Sequence, residues 1–239
     1  YLRVKEFIAK VKNSKCGCIE RALSTALSSE LTNYHELLCH LEASAGSLSL
    51  RQLLVLSRPA MRRLYYLAIL ADRTASGPHL LRDLNQQLAH GDPRFVDMVQ
   101  SLLMQAAAPW WDMLYLWTTT GKIADPAEEF FISEEPTGDL WSDCFKFLDH
   151  KCPEGLLDND LFYVSYTIGK GINYIRHCLG DGKWGLDMSQ LVEEKSNQPG
   201  SDLKTELGFA YRARETKVTI RDSLQRMASM VHSHILASL

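Results

Sequence analysis

Apolar residues recur along this chain at intervals of three and four, in one stretch after another. Phe7, Ile8 and Val11 mark a short basic helix over 2–12, and a Cys-Gly-Cys break follows it. Ile19, Ala22, Leu23, Ala26, Leu27, Leu31, Tyr34, Leu38 and Leu41 then trace one face of a long amphipathic helix with a polar opposite side. Gly46 marks a loop. Ser49-Leu50-Arg51-Gln52 is a capping box, in which the serine hydroxyl and the glutamine side chain satisfy free N–H groups reciprocally. Leu50, Leu53 and Leu54 carry the next helix into Pro59, which should kink or end it. Leu64, Tyr65, Ala68 and Ile69 continue to Asp72. After a Gly77-Pro78 turn, Leu80, Leu81, Leu84 and Leu88 form another helix, stopped at His90-Gly91. Asp92-Pro93 supplies an N-cap and a first helical residue for Val96, Val99, Leu102, Leu103 and Ala106.

The stretch from Pro109 to Trp141 has the most specific pattern. Trp110, Met113, Leu114 and Trp117 fall at i, i+3, i+4 and i+7, one apolar helical face. Pro109 suits a first helical position, where its missing N–H has no helical partner to lose. Gly121 suits the left-handed residue after a helix end. Lys122 to Pro126 reads as a turn, with Asp125 restricted by the proline after it. Glu128-Glu129-Phe130-Phe131-Ile132 then sets three large apolar residues behind two acids, with a few residues of strand at most near 130–132. Residues 141–148 are expected to be helical, and 151–158 a loop. Val164, Ile168, Ile172 and Ile175 stripe a helix ending near Leu179. Gly169 and Gly171 weaken that helix by roughly 1 kcal/mol each relative to alanine. They allow either a close crossing or a local distortion. Residues 180–201 read as a loop or hinge, and a last helix from about Asp202 carries Ile220, Leu224, Met227, Val231 and Ile235.

No stretch sustains a period of two, so the expected class is all-α, multi-helix bundles with at most minor β. Length, at 239 residues, allows one large or two small cores. A net charge of −3 argues against a general nucleic-acid binder. No run approaches the ~18 apolar residues of a membrane span. The six cysteines are too dilute for a disulfide framework, and reduced thiols in a cytosolic protein are the expectation. Both ends lie inside helical patterns without caps, as in a piece of a longer protein.

The central pattern carries a resemblance. The segment from Leu114 to Ile132, with Leu140-Trp141 after it, resembles the Trp–Gly–Asp–Glu-Phe-Phe signature of the gamma-tubulin complex proteins, and is most similar to the third component. It rests on Trp117, Gly121, Asp125, Glu129, Phe130, Phe131, Leu140 and Trp141. Ala127 departs from it, since many members carry an aromatic there. Ser47 to Leu64 resembles the family's leucine-rich helix ending in a proline. Thr167 to Cys178 resembles its Gly-Lys-Ser-Ile-Asn-Phe-Leu segment, through Gly169, Lys170 and Asn173, with Gly171 in place of the usual serine. The likeness runs in order over about residues 30–180. It implies a non-enzymatic scaffold built from helical domains: an N-terminal one that packs laterally on sister components, and a C-terminal one, absent here, that holds gamma-tubulin. The implied location is the cytoplasm and cytoskeleton, at the microtubule-organising centre (centrosome or spindle pole). On this reading 1–179 is the lateral-assembly domain, 180–201 the hinge, and 202–239 a further helix of the scaffold. No cofactor, nucleic acid or membrane is implied.

Candidate chemistry fails its spacing tests. His35-Glu36-Leu37-Leu38-Cys39-His40 places the second histidine one residue late for a zinc-hydrolase helix, and His35/Cys39 lacks a second ligand pair. Cys16-Gly17-Cys18 has the wrong spacing for a zinc knuckle or a dithiol redox site. Gly169-Lys170-Gly171 fails as a phosphate loop, because Val164 holds the first glycine position and Gly171 the Ser/Thr position. His232 and His234 lie two apart on a helix and face different ways. No nucleophile, base and orienting group come together, so the catalytic, cofactor and metal sets are empty.

Charge is unevenly distributed. Between Asp125 and Asp160 stand eleven acids against Lys146 and Lys151, while the first fifteen residues hold five bases against Glu6. A solvated surface explains both most simply. The alternative is a polarised module in which an acidic side meets a neighbour's basic side, steered by complementary fields. Glu134 and Glu135, beside the central motif on an expected loop, are the candidate partner-binding residues. The alternative function is an all-helical adaptor that clasps a partner helix, unrelated to tubulin. A hydrolase with a cryptic site ranks last.

Overall fold

The structure, a computed structural model, describes residues 1–13, 15–44, 46, 48–73, 77–135, 144–179 and 217–238. Among them are seven α-helices and one two-stranded sheet: α1 Leu2–Asn13, α2 Cys18–Ala43, α3 Leu50–Arg73, α4 Pro78–Gln87, α5 Pro93–Thr120, β1 Ile132–Glu134, β2 Phe145–Phe147, α6 Asn159–Cys178 and α7 Lys217–Ser238. The all-α class stands. Two compact units form, Tyr1–Ala107 and Ala108–Leu239, and α5 contributes residues to both. Trp141, the 180–201 hinge and the first part of the expected last helix lie outside the described residues.

The first unit buries only part of the stripes that the sequence shows: Leu38 of α2 and the expected Leu50, Leu53, Leu54 and Tyr65 of α3 are exposed, and α3 buries Leu67 and Leu70 instead. Val4, Ile8 and Val11 of α1 are buried, as are Ile19, Leu23, Leu27 and Leu31 of α2. The capping box before α3 forms: the Ser49 N–H donates to Gln52 Oε1 at 2.9 Å, and the Gln52 N–H to Ser49 Oγ at 3.4 Å. Pro59 does not end that helix, which runs on to Arg73. Pro59 lies in an exposed part of α3, where water can satisfy the carbonyl it leaves unbonded. Pro78 takes the first turn of α4 after Gly77, whose N–H donates to the buried Glu20 at 3.2 Å. Asp92 caps α5, its Oδ1 accepting the Arg94 N–H at 3.1 Å.

Pro109 requires a larger correction. It is interior to α5, not at its start. Val99, Leu102, Ala106, Trp110, Met113 and Trp117 keep one unbroken period across it, and all are buried. An interior proline costs about 3 kcal/mol, and burying a large side chain stabilises by about 1.5–3 kcal/mol. Several such side chains on either side of Pro109 therefore outweigh the single lost hydrogen bond.

In the second unit the expected helix over 141–148 is not found among the described residues 144–148. Its described part is β2, antiparallel to β1, with Ile132 opposite Phe147 and Glu134 opposite Phe145. Phe145-Lys146-Phe147 alternates apolar and polar, a period of two too short to stand out before its partner strand is known. The strand beside the Phe-Phe pair begins at Ile132 and reaches Glu134, later than the expected 130–132. α6 and α7 pack together: Leu161, Ile168, Ile172 and Ile175 are buried on one, and Ile220, Leu224, Met227 and Val231 on the other.

Candidate functional site

The motif residues of the second unit converge on a buried structural lock. Trp117 is wholly buried near the end of α5, and its Nε1–H donates to the Ser165 carbonyl of α6 at 2.8 Å. One turn along α6, Gly169 presents bare backbone to the indole. A Cβ there would lie 2.0 Å from Trp117 Cε2, so only glycine admits the ring. α5 ends where Gly121 takes φ = +65°, a left-handed conformation that glycine adopts without steric cost. The carbonyl of Gly121 accepts Asn173 Nδ2–H at 2.7 Å, and that amide also reaches the Gly169 carbonyl at 3.1 Å. Thus Trp117, Gly121, Gly169 and Asn173, up to 56 positions apart in sequence, make one joint between two helices.

The turn beyond Gly121 is held by a carboxylate. Asp125 Oδ1 accepts the Glu129 N–H at 3.0 Å, and Oδ2 the Phe130 N–H at 2.7 Å. Glu128 adopts φ = +55°, and its carbonyl accepts Lys151 Nζ–H at 2.7 Å. This turn delivers Phe130 and Phe131 inward. Trp110 lies 6.1 Å from the Phe130 ring centroid and 6.0 Å from those of Phe131 and Phe162, while Phe130 and Phe131 are 4.4 Å apart. Trp117 meets Phe145 edge-on at 5.0 Å. Glu129 is buried with them. Gly171 serves a second close approach, since a Cβ there would meet Val231 Cγ1 at 2.4 Å. Close crossing is therefore the reason for both glycines.

Lys170 reaches outward, its ammonium 5.3 Å from the Tyr166 ring centroid. The Tyr166 hydroxyl donates to the Phe145 carbonyl at 2.7 Å and ties α6 to β2. Ser165, Tyr166 and Phe162 are the contributors that sequence reasoning missed. They sit on the α6 stripe, but nothing local shows which distant atoms they meet.

Glu134 and Glu135 occupy a strand and its end, not a loop. Glu134 is exposed opposite Phe145, and the Glu135 N–H donates to the Cys144 carbonyl at 2.7 Å. Glu135 also pairs with Lys146 at 2.7 Å with both side chains about half exposed, so the pair adds little to stability. Glu128, Glu134, Asp149, Glu154 and Asp160 are exposed and give this unit an acidic surface, whereas Arg3, Lys5, Lys10 and Lys12 of α1 are exposed on the first unit.

Among the described residues no three His, Cys, Asp or Glu side chains gather to hold a metal. His35 instead meets the Tyr1 ring edge-on at 5.7 Å. Lys170 lies inside α6, away from any helix N-terminus that would cradle phosphate. Among the described residues an open groove of about 570 Å³ lies in the first unit, between Leu37 of α2, Leu56 and Ala60 of α3, and Met98 of α5, edged by Arg62 and Arg94. Beside it Arg63 pairs with Glu30 at 2.7 Å. Tyr66 O–H donates to Asp92 at 3.0 Å, which holds the Asp92 carboxyl below its ordinary value and the Tyr66 phenol above its own. The groove offers shape and charge.

Known proteins resemble this chain over most of its length. A family model for the gamma tubulin complex component N-terminal region matches residues 1–239. Gamma-tubulin complex component 3 of Arabidopsis thaliana is 28% identical over 80% of this chain and 25% of its own length. The Schizosaccharomyces pombe spindle pole body component alp6 is 24% identical over 80% of the chain and 26% of its own length. Gamma-tubulin complex component 2 of mouse is 27% identical over 74% of the chain and 21% of its own. The chain spans about a quarter of the length of these relatives. The family model covers the chain from first residue to last: this chain belongs to the gamma-tubulin complex component family and corresponds to its N-terminal region.

Proposed function

We propose that this chain is the lateral-assembly part of a non-enzymatic scaffold component that helps to template microtubule nucleation. Family membership over the whole length is the observation that carries the reading. The relatives are named for the gamma-tubulin complex and the spindle pole body, so the proposed place of work is the microtubule-organising centre of the cytoskeleton. The buried motif supports a structural role: Trp117, Phe130 and Phe131 are spent on a rigid joint rather than on a ligand. Residues 1–179 act as the lateral domain, and 202–239 continue the scaffold toward a gamma-tubulin-holding domain outside this chain. The exposed bases of α1 and the exposed acids of the second unit suit a head-to-tail arrangement, in which unlike surfaces of neighbours face one another.

The test is assembly. The 239-residue chain, mixed with the N-terminal region of a sister component, should elute as a heterodimer and should not retain gamma-tubulin. Raising salt from about 0.05 to 0.5 M should slow association, as the Debye length shrinks several-fold. Retention of gamma-tubulin without a sister component would assign the chain to the other half of the scaffold. The second reading, an adaptor for a partner helix, draws support from the apolar face of α3.

A further inference from the structure

We propose that the open face of α3 docks an acidic amphipathic helix of a partner protein. Leu50, Leu54, Met61 and Tyr65 fall at i, i+4, i+11 and i+15, which aligns them along one side of the helix over about 22 Å. They are 87, 61, 61 and 64% exposed. Leu67 and Leu70, the buried residues of α3, take the opposite side. The stripe is therefore not the rim of the core, and folding of this unit does not require it to be apolar. An exposed apolar line of this kind, interrupted between Leu54 and Met61 by Ser57 and Arg58, marks a contact surface.

The margins of the stripe define what covers it. Arg51, Arg58 and Arg62, at i, i+7 and i+11, run along one margin, and the other carries the uncharged Leu53, Ser57 and Leu64. No Asp or Glu occurs from Leu50 to Ala71. Arg51 and Arg58 make no ion pair among the described residues. Seven residues beyond Tyr65 the same line reaches Asp72, and there the chain covers its own helix. α1 packs on α3, and Arg3 pairs with Asp72. Where α3 carries an acid, the helix over it brings an arginine. Along the open part α3 carries arginines, so a complementary cover brings carboxylates, matched to guanidinium geometry. A lipid surface suits bases on both margins of an apolar face, whereas charge on one margin only sets the direction of a second helix lying in register. The inference concerns α3 alone and does not depend on the lateral-assembly reading.

A displayed library of 21-residue helices tests it, with leucine fixed on one face and Glu, Lys or Gln varied on both flanks, selected against the folded 239-residue chain. The expected pool carries Glu along one flank, and its members bind at least ~10-fold more weakly to a Leu54→Asp/Met61→Asp variant. Against Arg51→Glu/Arg58→Glu, the same selection should return Lys on that flank. All four positions are exposed, so circular dichroism and melting should match the parent. Enrichment of Lys or Gln with the parent chain, or no enrichment above the Leu54→Asp/Met61→Asp control, overturns the proposal. So does any result in which that variant alters only self-association, binding to phosphatidylserine vesicles, or pairing with a sister N-terminal region while no helix is selected, because the stripe then belongs to that other occupant.

Discussion

Gly169 lies against the indole of Trp117 so closely that a methyl group in place of its hydrogen would stand 2.0 Å from Cε2. The contact explains why a helix with an otherwise regular stripe carries a residue that weakens it. Gly169→Ala gains about 1 kcal/mol of helix propensity and loses about 1–3 kcal/mol or more to overpacking. The variant should melt below the parent. Trp117→Ala should cost about 3–5 kcal/mol. In a Trp117→Leu background the alanine at 169 should cost less than in the parent, and a chemical-denaturation double-mutant cycle measures that coupling. Additive effects would show that the ring and the glycine do not constrain each other.

Asp125 holds two backbone N–H groups at the turn that sends Phe130 and Phe131 inward. Asp125→Ala should cost about 2 kcal/mol, since both bonds go to a charged acceptor. Asp125→Asn, which keeps one acceptor oxygen, should lose less. Urea melts followed by tryptophan fluorescence separate the three proteins, and equal midpoints would refute the assignment.

The cysteines should divide by environment. Burial, with a smaller contribution from Asp149, pushes the Cys152 thiol up to about 12. Burial likewise raises that of Cys144. Thiolate is the nucleophile, so both should resist iodoacetamide at pH 8 in the folded chain, while the exposed Cys39 and Cys178 react. Mass spectrometry of labelled peptides reads the order. Rapid labelling of Cys152 without denaturant would contradict the placement.

The Tyr66–Asp92 bond needs a protonated phenol and an ionised carboxyl. Asp92, held low chiefly by that bond, contributes stability present above its unfolded value of about 3.9 and lost as pH falls through its lower folded value. Tyr66, held high by the same bond, contributes stability present below about 10 and lost as pH rises through its folded value. Tyr66→Phe should raise the Asp92 carboxyl toward its ordinary range in an NMR titration. An unmoved Asp92 titration would show that the bond is not formed in solution.

Charge reversal at Glu134 and Glu135 tests the acidic surface. Both side chains reach solvent, and the Glu135–Lys146 pair is exposed, so melting should shift by about 1 kcal/mol or less. Pairing with a sister N-terminal region should weaken, chiefly through slower association. Unchanged association rates at low salt would remove this strand from the interface.

Periodicity alone determined that most of the described chain is helical, because an amphipathic helix writes itself into local spacing. The α2 stripe from Ile19 to Leu31, the Ser49–Gln52 capping box, the Asp92 cap of α5 and the Gly121 stop all depend on residues within a few positions of one another. The family motif was legible as a resemblance, which likewise rests on residues close in sequence. What the motif does was not. Gly169 could have marked a crossing or a distortion, and only the arrival of Trp117 from 52 positions away decides for the crossing. Pro109 looked like a helix start because local chemistry favours that position; burial on both sides of it, a tertiary energy, carried α5 straight through. Residues 145–147 are a strand because Ile132 to Glu134 supply the partner, and a strand of three residues has no pattern of its own to read. The leucines and arginines of α3 are plain in the sequence, but which of them face water was settled only when Leu67 and Leu70 turned toward the core.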